Sequence, residues 1–150
     1  MSRLTAFVLT AVLALGATAG LAAAASSPSS PAKVGVRTTK LGKILVNAKG
    51  VTLYLFMKDK NGKSACTGAC AQAWPPLLTK GHPKASGGAA SAKLGTTKRS
   101  DGTTQVTYNG HPLYTFIMDH NKPGATAGEG LNAFGAEWYV LGTKGNKIEK

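Results

Sequence analysis

The chain alternates short apolar runs with turn residues, a pattern typical of β-structure. The runs are rich in β-branched and aromatic residues and comprise residues 34–39, 43–47, 52–58, 94–99, 103–108 and 112–118. Asn109-Gly110 lies between the last two, and such a pair favours a tight hairpin turn because both residues accept positive φ. Three runs in each half, separated by turn signals, predict an antiparallel meander in each half.

The third run of each half is apolar on both faces. Side chains alternate along a strand, so Tyr54 and Phe56 share one face while Leu53, Leu55 and Met57 share the other. In the second half the two faces are Tyr114, Phe116 and Met118, and Leu113, Thr115 and Ile117. A strand that is apolar on both faces is predicted to lie in the middle of the structure, covered on both sides.

The segments that follow the third runs differ between the halves. Residues 64–74 suit a short helix around Cys66–Trp74, with Ser64 as its N-cap and Pro75-Pro76 beyond its end. Residues 119–137 are rich in glycine and predict a long loop with at most one helical turn, before a strand at 138–141. The predicted fold class is therefore mainly β, a β-rich α+β arrangement.

The two halves are copies of one unit. Residues 34–59 align with residues 94–119 without a gap, with eight identities in 26 positions, and residues 70–81 match residues 134–145 at an offset larger by four. The shared motif is Tyr-x-Phe-x-x-Asp, formed by Tyr54, Phe56 and Asp59 and by Tyr114, Phe116 and Asp119. One unit of about 60 residues buries little surface. We therefore expect two mutually dependent meanders related by pseudo-twofold symmetry.

The paired motifs, the Cys-Thr-Gly-Ala-Cys run and Trp74-Pro75-Pro76 together resemble a known family. The chain is similar, over roughly residues 34–145, to the secreted repeat family with the Yx(FWY)xxD motif, many of whose members are predicted bacterial lipoproteins. The resemblance implies an exported protein and supplies no biochemical activity. No cysteine precedes Cys66, so the lipid-attachment cysteine of the lipoprotein members is missing.

The N-terminal segment predicts export. Arg3 precedes an apolar run that ends in Ala23-x-Ala25, as in a cleaved secretory signal peptide. The alternative is an uncleaved anchor, because the run approaches the roughly 20 residues that span a bilayer. The predicted organisation is a signal peptide at 1–25, a flexible leader at 26–33, repeat 1 at 34–81, a linker at 82–93, repeat 2 at 94–145 and a tail at 146–150, with 34–145 as one domain.

The charge favours anionic partners. The sequence has 18 basic and 6 acidic residues, and removal of Arg3 with the signal peptide leaves 17 and 6, a net charge of +11. We expect an anionic cell-wall polymer, an acidic lipid surface or an envelope protein as partner. Nucleic acid is not expected, since the lysines are scattered and no recognition motif is present. The alternative is a basic surface that keeps the protein soluble without a dedicated partner.

Cys66 and Cys70 are the two cysteines of the chain. A spacing of four residues on a helix gives about 6 Å of rise, within the Cα separation that a disulfide tolerates, and an exported protein favours the bridge. The alternative is a thiol pair that exchanges disulfides or binds copper, joined by Met118 and His120 if the fold brings them close. No other cofactor is expected.

The repeated polar and aromatic residues have structural and functional interpretations. Asp59 and Asp119 follow a strand, where an aspartate commonly accepts hydrogen bonds from its own turn. They could instead meet at the repeat interface, receive a ligand or form a catalytic pair, although no nucleophile accompanies them. One Tyr, one Phe and one Trp per copy predict a duplicated core, with an aromatic binding groove as the alternative.

These features predict a secreted, non-catalytic protein of the cell envelope that binds an anionic polymer or a protein partner. The alternative function is copper binding or thiol redox chemistry at Cys66 and Cys70.

Overall fold

The computed structural model describes residues 27–149, so the predicted signal peptide lies outside the described residues. The chain forms short strands, one α-helix and two 3-10 turns. In chain order they are β1 (Lys33–Thr39), β2 (Gly42–Asn47), β3 (Tyr54–Phe56), α1 (Ala69–Ala73), β4 (Lys84–Ala85), η1 (Ser91–Lys93), β5 (Leu94–Lys98), β6 (Thr104–Tyr108), β7 (His111–Pro112), η2 (Ile117–Asp119), β8 (Asn132–Ala133) and β9 (Ala136–Val140).

The strands form three sheets of three strands each, in the orders β2-β1-β4, β3-β9-β8 and β5-β6-β7. The predicted hairpins are present as the antiparallel pairs β1/β2 and β5/β6. Asn109 and Gly110 both have positive φ in the turn before β7, as their hairpin signal indicated. The predicted fold class, mainly β with two similar repeats, is confirmed.

The two repeats exchange their last segments. β3 of repeat 1 pairs with β9 of repeat 2, with Phe56 opposite Trp138. Reciprocally, the Leu77 amide donates to the Leu113 carbonyl at 2.8 Å, so the motif segment of repeat 2 pairs with the end of repeat 1. The repeats of the sequence are therefore not separate bodies, because each pairs with a segment of the other.

Tyr54 and Tyr114 mark the centre of the pseudo-symmetry. They form an antiparallel bridge, in which the Tyr54 amide donates to the Tyr114 carbonyl at 2.8 Å and the Tyr114 amide donates to the Tyr54 carbonyl at 3.0 Å. The same backbone atoms are used in both directions, so a pseudo-twofold axis passes between the two residues.

Two cores lie on opposite faces of this central pair. Tyr54 and Phe56 pack in one core, and Leu53 and Leu55 pack in the other, as the alternation of the motif strand predicts. In repeat 2, Tyr114 packs in the first of these cores and Leu113 packs in the second.

The motif strands end earlier than expected. β3 stops at Phe56, and Met57, Ile117 and Met118 are exposed. Beyond the motif Phe, the motif segment is therefore not covered on both faces, contrary to the prediction. The reason is a turn: the Asp59 amide donates to the Phe56 carbonyl at 3.1 Å, which takes the chain out of the sheet. An equivalent bond follows Phe116 in repeat 2.

The short helix around Cys66–Trp74 is present but begins only at Ala69. Ser64 does not cap it; Gly68 precedes it with a positive φ of 57° and no side-chain cap. The Ser64 hydroxyl is instead engaged in contacts described below, which place it away from the helix N-terminus.

Two segments expected to be simple connections also contribute to the fold. The predicted linker at 82–93 contains β4, which pairs in parallel with β1. In the predicted tail at 146–150, Ile148 packs against the aromatic core and its amide donates to the Val140 carbonyl at 2.9 Å. Within residues 27–149, no helix combines the length and the apolar character that a membrane crossing needs.

Candidate functional site

The motif tyrosines and aspartates form two crossed pairs. The Tyr54 phenol donates to Asp119 Oδ2 at 2.7 Å, and the Tyr114 phenol donates to Asp59 Oδ2 at 2.8 Å. Each tyrosine therefore serves the aspartate of the other repeat. We call these contacts the crossed Tyr–Asp pairs.

The second oxygen of each aspartate is used within its own repeat. Asp59 Oδ1 accepts from the Ala65 amide at 2.7 Å, and Asp119 Oδ1 accepts from the Ala127 amide at 2.9 Å. Each carboxylate thus closes the loop that follows its motif and also holds the opposite repeat. The two structural interpretations of these aspartates, as acceptors for the chain that follows the motif and as contacts at the repeat interface, therefore apply together.

Burial governs the ionisation of these groups. It raises the pKa of Asp59 and of Asp119, and the hydrogen bonds from tyrosine and amide donors oppose that rise. Burial and the neighbouring carboxylate also raise the pKa of Tyr54 and Tyr114 well above the ordinary phenol range. Both phenols consequently remain protonated donors, which suits them to bind a carboxylate permanently.

A buried arginine extends one of the two pairs. Arg99 donates to Ser64 Oγ at 2.9 Å and to the Cys66 carbonyl at 2.7 Å. The Ser64 hydroxyl lies 2.7 Å from the Tyr114 hydroxyl. Because the single Tyr114 proton is taken by the carboxylate of Asp59, Ser64 donates to Tyr114. Sequence reasoning missed this chain of contacts, since a single arginine at the end of a run gives no sign of burial.

Four aromatic rings form a continuous stack between the repeats. Phe56 stacks on Trp138 and Trp74 stacks on Phe116, with ring centroids 4.0 Å and 3.9 Å apart. The two tryptophans stack on each other at 4.0 Å with an angle of 3° between their planes. Both indoles are almost completely buried, so these rings form a duplicated core and leave no open aromatic groove.

The cysteines are joined in a disulfide with a Cα separation of 5.2 Å. Both are buried in the aromatic core, whereas Met118 and His120 are exposed. Among residues 27–149, no group of three or more His, Cys, Asp or Glu side chains is placed to hold a metal ion. The copper and thiol hypothesis stays a prediction without further support.

The fold and the crossed Tyr–Asp pairs therefore define a duplicated β-protein in which the motif residues join one repeat to the other. A family model described as a secreted repeat of unknown function matches residues 35–78 and 95–142, once in each repeat. The chain therefore belongs to this family of secreted repeats. Comparisons with curated proteins and with solved structures find no match.

Proposed function

We propose that this secreted protein is a non-catalytic binding module of the cell envelope, retained there by an anionic polymer that carries phosphate groups. The observation that supports this proposal is the distribution of charge between the inside and the outside of the fold. A cationic surface raises the local concentration of polyanions through long-range attraction.

Half of the carboxylates are directed inward. Asp59 and Asp119 accept from tyrosines of the opposite repeat, and Glu129 Oε2 accepts from the Val140 amide at 2.7 Å. The carboxylates that face solvent are Asp101, Glu137 and Glu149. Internal hydrogen bonding therefore removes negative charge from the surface.

The basic residues remain outside. Exposed basic side chains in the described part of the chain are Lys33, Arg37, Lys40, Lys43, Lys49, Lys58, Lys60, Lys63, Lys80, Lys84, Lys98, Lys122, Lys144 and Lys147. Fourteen exposed cations accompany three exposed carboxylates, so the ratio of positive to negative groups is higher at the surface than the 17 to 6 of the chain without the predicted signal peptide.

The structural use of the motif favours binding over catalysis. Each motif aspartate already accepts from a phenol and from a loop amide, and each motif tyrosine donates to a carboxylate. The residues that the family motif repeats are thus occupied in holding the fold, which leaves the surface as the part that meets other molecules.

Binding to isolated cell walls tests the proposal. We expect the purified protein to sediment with walls at low ionic strength and to be released by about 1 M salt, where the screening length falls to about 3 Å. Walls from which phosphate has been removed with hydrofluoric acid are the matched control and should retain much less protein. Equal binding to both preparations, or binding that salt does not reverse, would show that the partner is not the phosphate polymer.

A further inference from the structure

A cleft at the turn between β1 and β2 is lined by side-chain donors. Its volume is about 390 Å³, and its lining includes Arg37, Thr38 and Lys40 from repeat 1 and Thr126 from the long loop of repeat 2. No carboxylate lines it. We call this space the Arg37 cleft.

Backbone packing positions the arginine. The Gly124 amide donates to the Gly50 carbonyl at 3.0 Å, which joins the loop of repeat 2 to the turn after β2. The Arg37 side chain lies across Gly124, where an added Cβ would be only 2.8 Å from Arg37 Nε. Gly124 also has a φ of +70°. The missing side chain at residue 124 therefore makes room for the guanidinium.

Arg37 and Lys40 are exposed and have no ion-pair partner within residues 27–149. The ion pairs of that part of the chain join Arg99 to Asp101 and Lys147 to Glu149, and neither involves Arg37 or Lys40. Exposed cationic donors without a protein acceptor are available to a ligand rich in acceptor oxygens. A phosphate group satisfies them best, because the planar guanidinium matches two phosphate oxygens at once.

A second cleft adjoins the first and shares Arg37. Its volume is about 410 Å³, and Lys33, Asn47 and Ser86 contribute to its lining. Two neighbouring spaces with one arginine between them suit successive phosphates along a polymer better than a single ion.

From these observations we propose that Arg37 and Lys40 form the site that binds the phosphate groups of the anionic polymer. This inference rests on the proposed function and assigns it to particular residues. The site occurs once in the chain, because positions 97 and 100, sixty residues later, are Thr and Ser. The loop that contains Thr126 belongs to the longer segment between the motif Asp and Trp of repeat 2.

The first test measures affinity for long-chain polyphosphate by titration calorimetry, with inorganic phosphate and phosphatidylglycerol vesicles as additional ligands. The site variant is Arg37→Gln/Lys40→Gln. The control is Lys60→Gln/Lys63→Gln, which removes the same charge at the same spacing from an exposed loop. We expect the site variant to bind polyphosphate at least about tenfold more weakly, since two charged hydrogen-bond donors are lost, and the control to change about twofold or less.

The outcomes separate this inference from the proposed function. A wild-type protein that binds no phosphate polymer would overturn both. Equal weakening of the two variants would show diffuse attraction and overturn the site alone. Binding to vesicles without binding to polyphosphate would assign the surface to lipid head groups and overturn the polymer assignment.

The second test leaves the charge unchanged. Gly124→Ala places a methyl group against Arg37, whereas Gly102→Ala introduces the same backbone strain at a φ of +84° where nothing lies within 4 Å. Thermal unfolding should show similar destabilisation of both variants. We expect only Gly124→Ala to weaken polyphosphate binding, and equal affinities for the two variants would contradict the placement of Arg37 in the site.

Discussion

The phenol of Tyr54 donates its hydrogen bond to the carboxylate of Asp119, 65 residues further along the chain, at 2.7 Å. Tyr114 returns the same contact to Asp59 at 2.8 Å. The spacing of Tyr and Asp within one motif therefore does not serve a contact inside that motif. It places each Tyr to contact the Asp of the other repeat, so the motif reflects the geometry of the interface between the two copies.

The crossed arrangement predicts which residues are energetically coupled. In a double-mutant cycle, Tyr54→Phe and Asp119→Asn should show a coupling energy of about 1–2 kcal/mol. Either substitution alone removes the hydrogen bond between the phenol and the charged carboxylate, so the second substitution has no such bond left to remove. Tyr54→Phe and Asp59→Asn lie in one motif without a mutual hydrogen bond and should be nearly additive. Urea unfolding measures both cycles. Coupling confined to the residues of one motif would contradict the crossed pairs.

Stability should depend on the protonation of the two motif aspartates. Burial raises the pKa of Asp59 and of Asp119, so the folded protein holds these protons more tightly than the unfolded chain, in which the pKa is about 3.9. Their contribution to stability is fully present below that ordinary value and is lost as the pH rises through the folded-state pKa values.

Comparison with Asp119→Asn isolates the effect of one aspartate. The free energy of unfolding, measured in urea at several pH values from about 3.5 to 6.5, should fall more with rising pH in the wild type than in the variant. Burial lowers the pKa of His111, which is present in both proteins. Its titration therefore makes the free energy of unfolding rise with pH by the same amount in the wild type and in the variant. Parallel pH profiles for the two proteins would be incompatible with a raised pKa of Asp119.

Exchange of segments predicts that neither half folds alone. A fragment of residues 26–90 lacks β9, the partner of β3, and a fragment of residues 91–150 lacks the segment that pairs with Leu113. We expect narrow amide dispersion in nuclear magnetic resonance spectra of each fragment and native-like dispersion when they are mixed. A cooperative unfolding transition in residues 26–90 alone would refute the mutual dependence.

The disulfide should stabilise the fold without determining it. The bridge between Cys66 and Cys70 closes a short loop, for which the entropy estimate is about 2 kcal/mol. Cys66→Ala/Cys70→Ala should lower the free energy of unfolding by about that amount and keep the near-ultraviolet circular dichroism spectrum. Reductant should shift the wild type similarly and leave the variant unchanged. Detection of free thiols in the exported, denatured protein would support the copper and redox hypothesis.

The sequence was a good guide to features that depend on local signals. The predicted runs at 34–39 and 43–47 differ from β1 and β2 by one residue at one end, because alternation and turn residues define a hairpin locally. The division of Tyr54 and Leu53 between two cores also followed from strand periodicity alone.

Features that depend on the other repeat were beyond local signals. Two similar repeats offer equivalent partners to a motif strand, so the residues of β3 do not indicate that it pairs with β9 and not within its own half. Buried Arg99 donates to Ser64 and to the Cys66 carbonyl of repeat 1, and these partners are distant in the sequence. Likewise Arg37 is one scattered cation among many in the sequence, and only the structure shows that its side chain lies against Gly124 of the other repeat.

The bridge between Tyr54 and Tyr114 has the reciprocity of an isologous dimer interface, in which one surface patch meets a second copy of itself. The protein is, in this sense, a homodimer fused into one polypeptide. Fusion gives each copy a high effective concentration of its partner and frees folding from dependence on protein concentration. It also releases the copies from strict identity, so one could acquire a disulfide and the other a longer loop while the interface that joins them stayed symmetric.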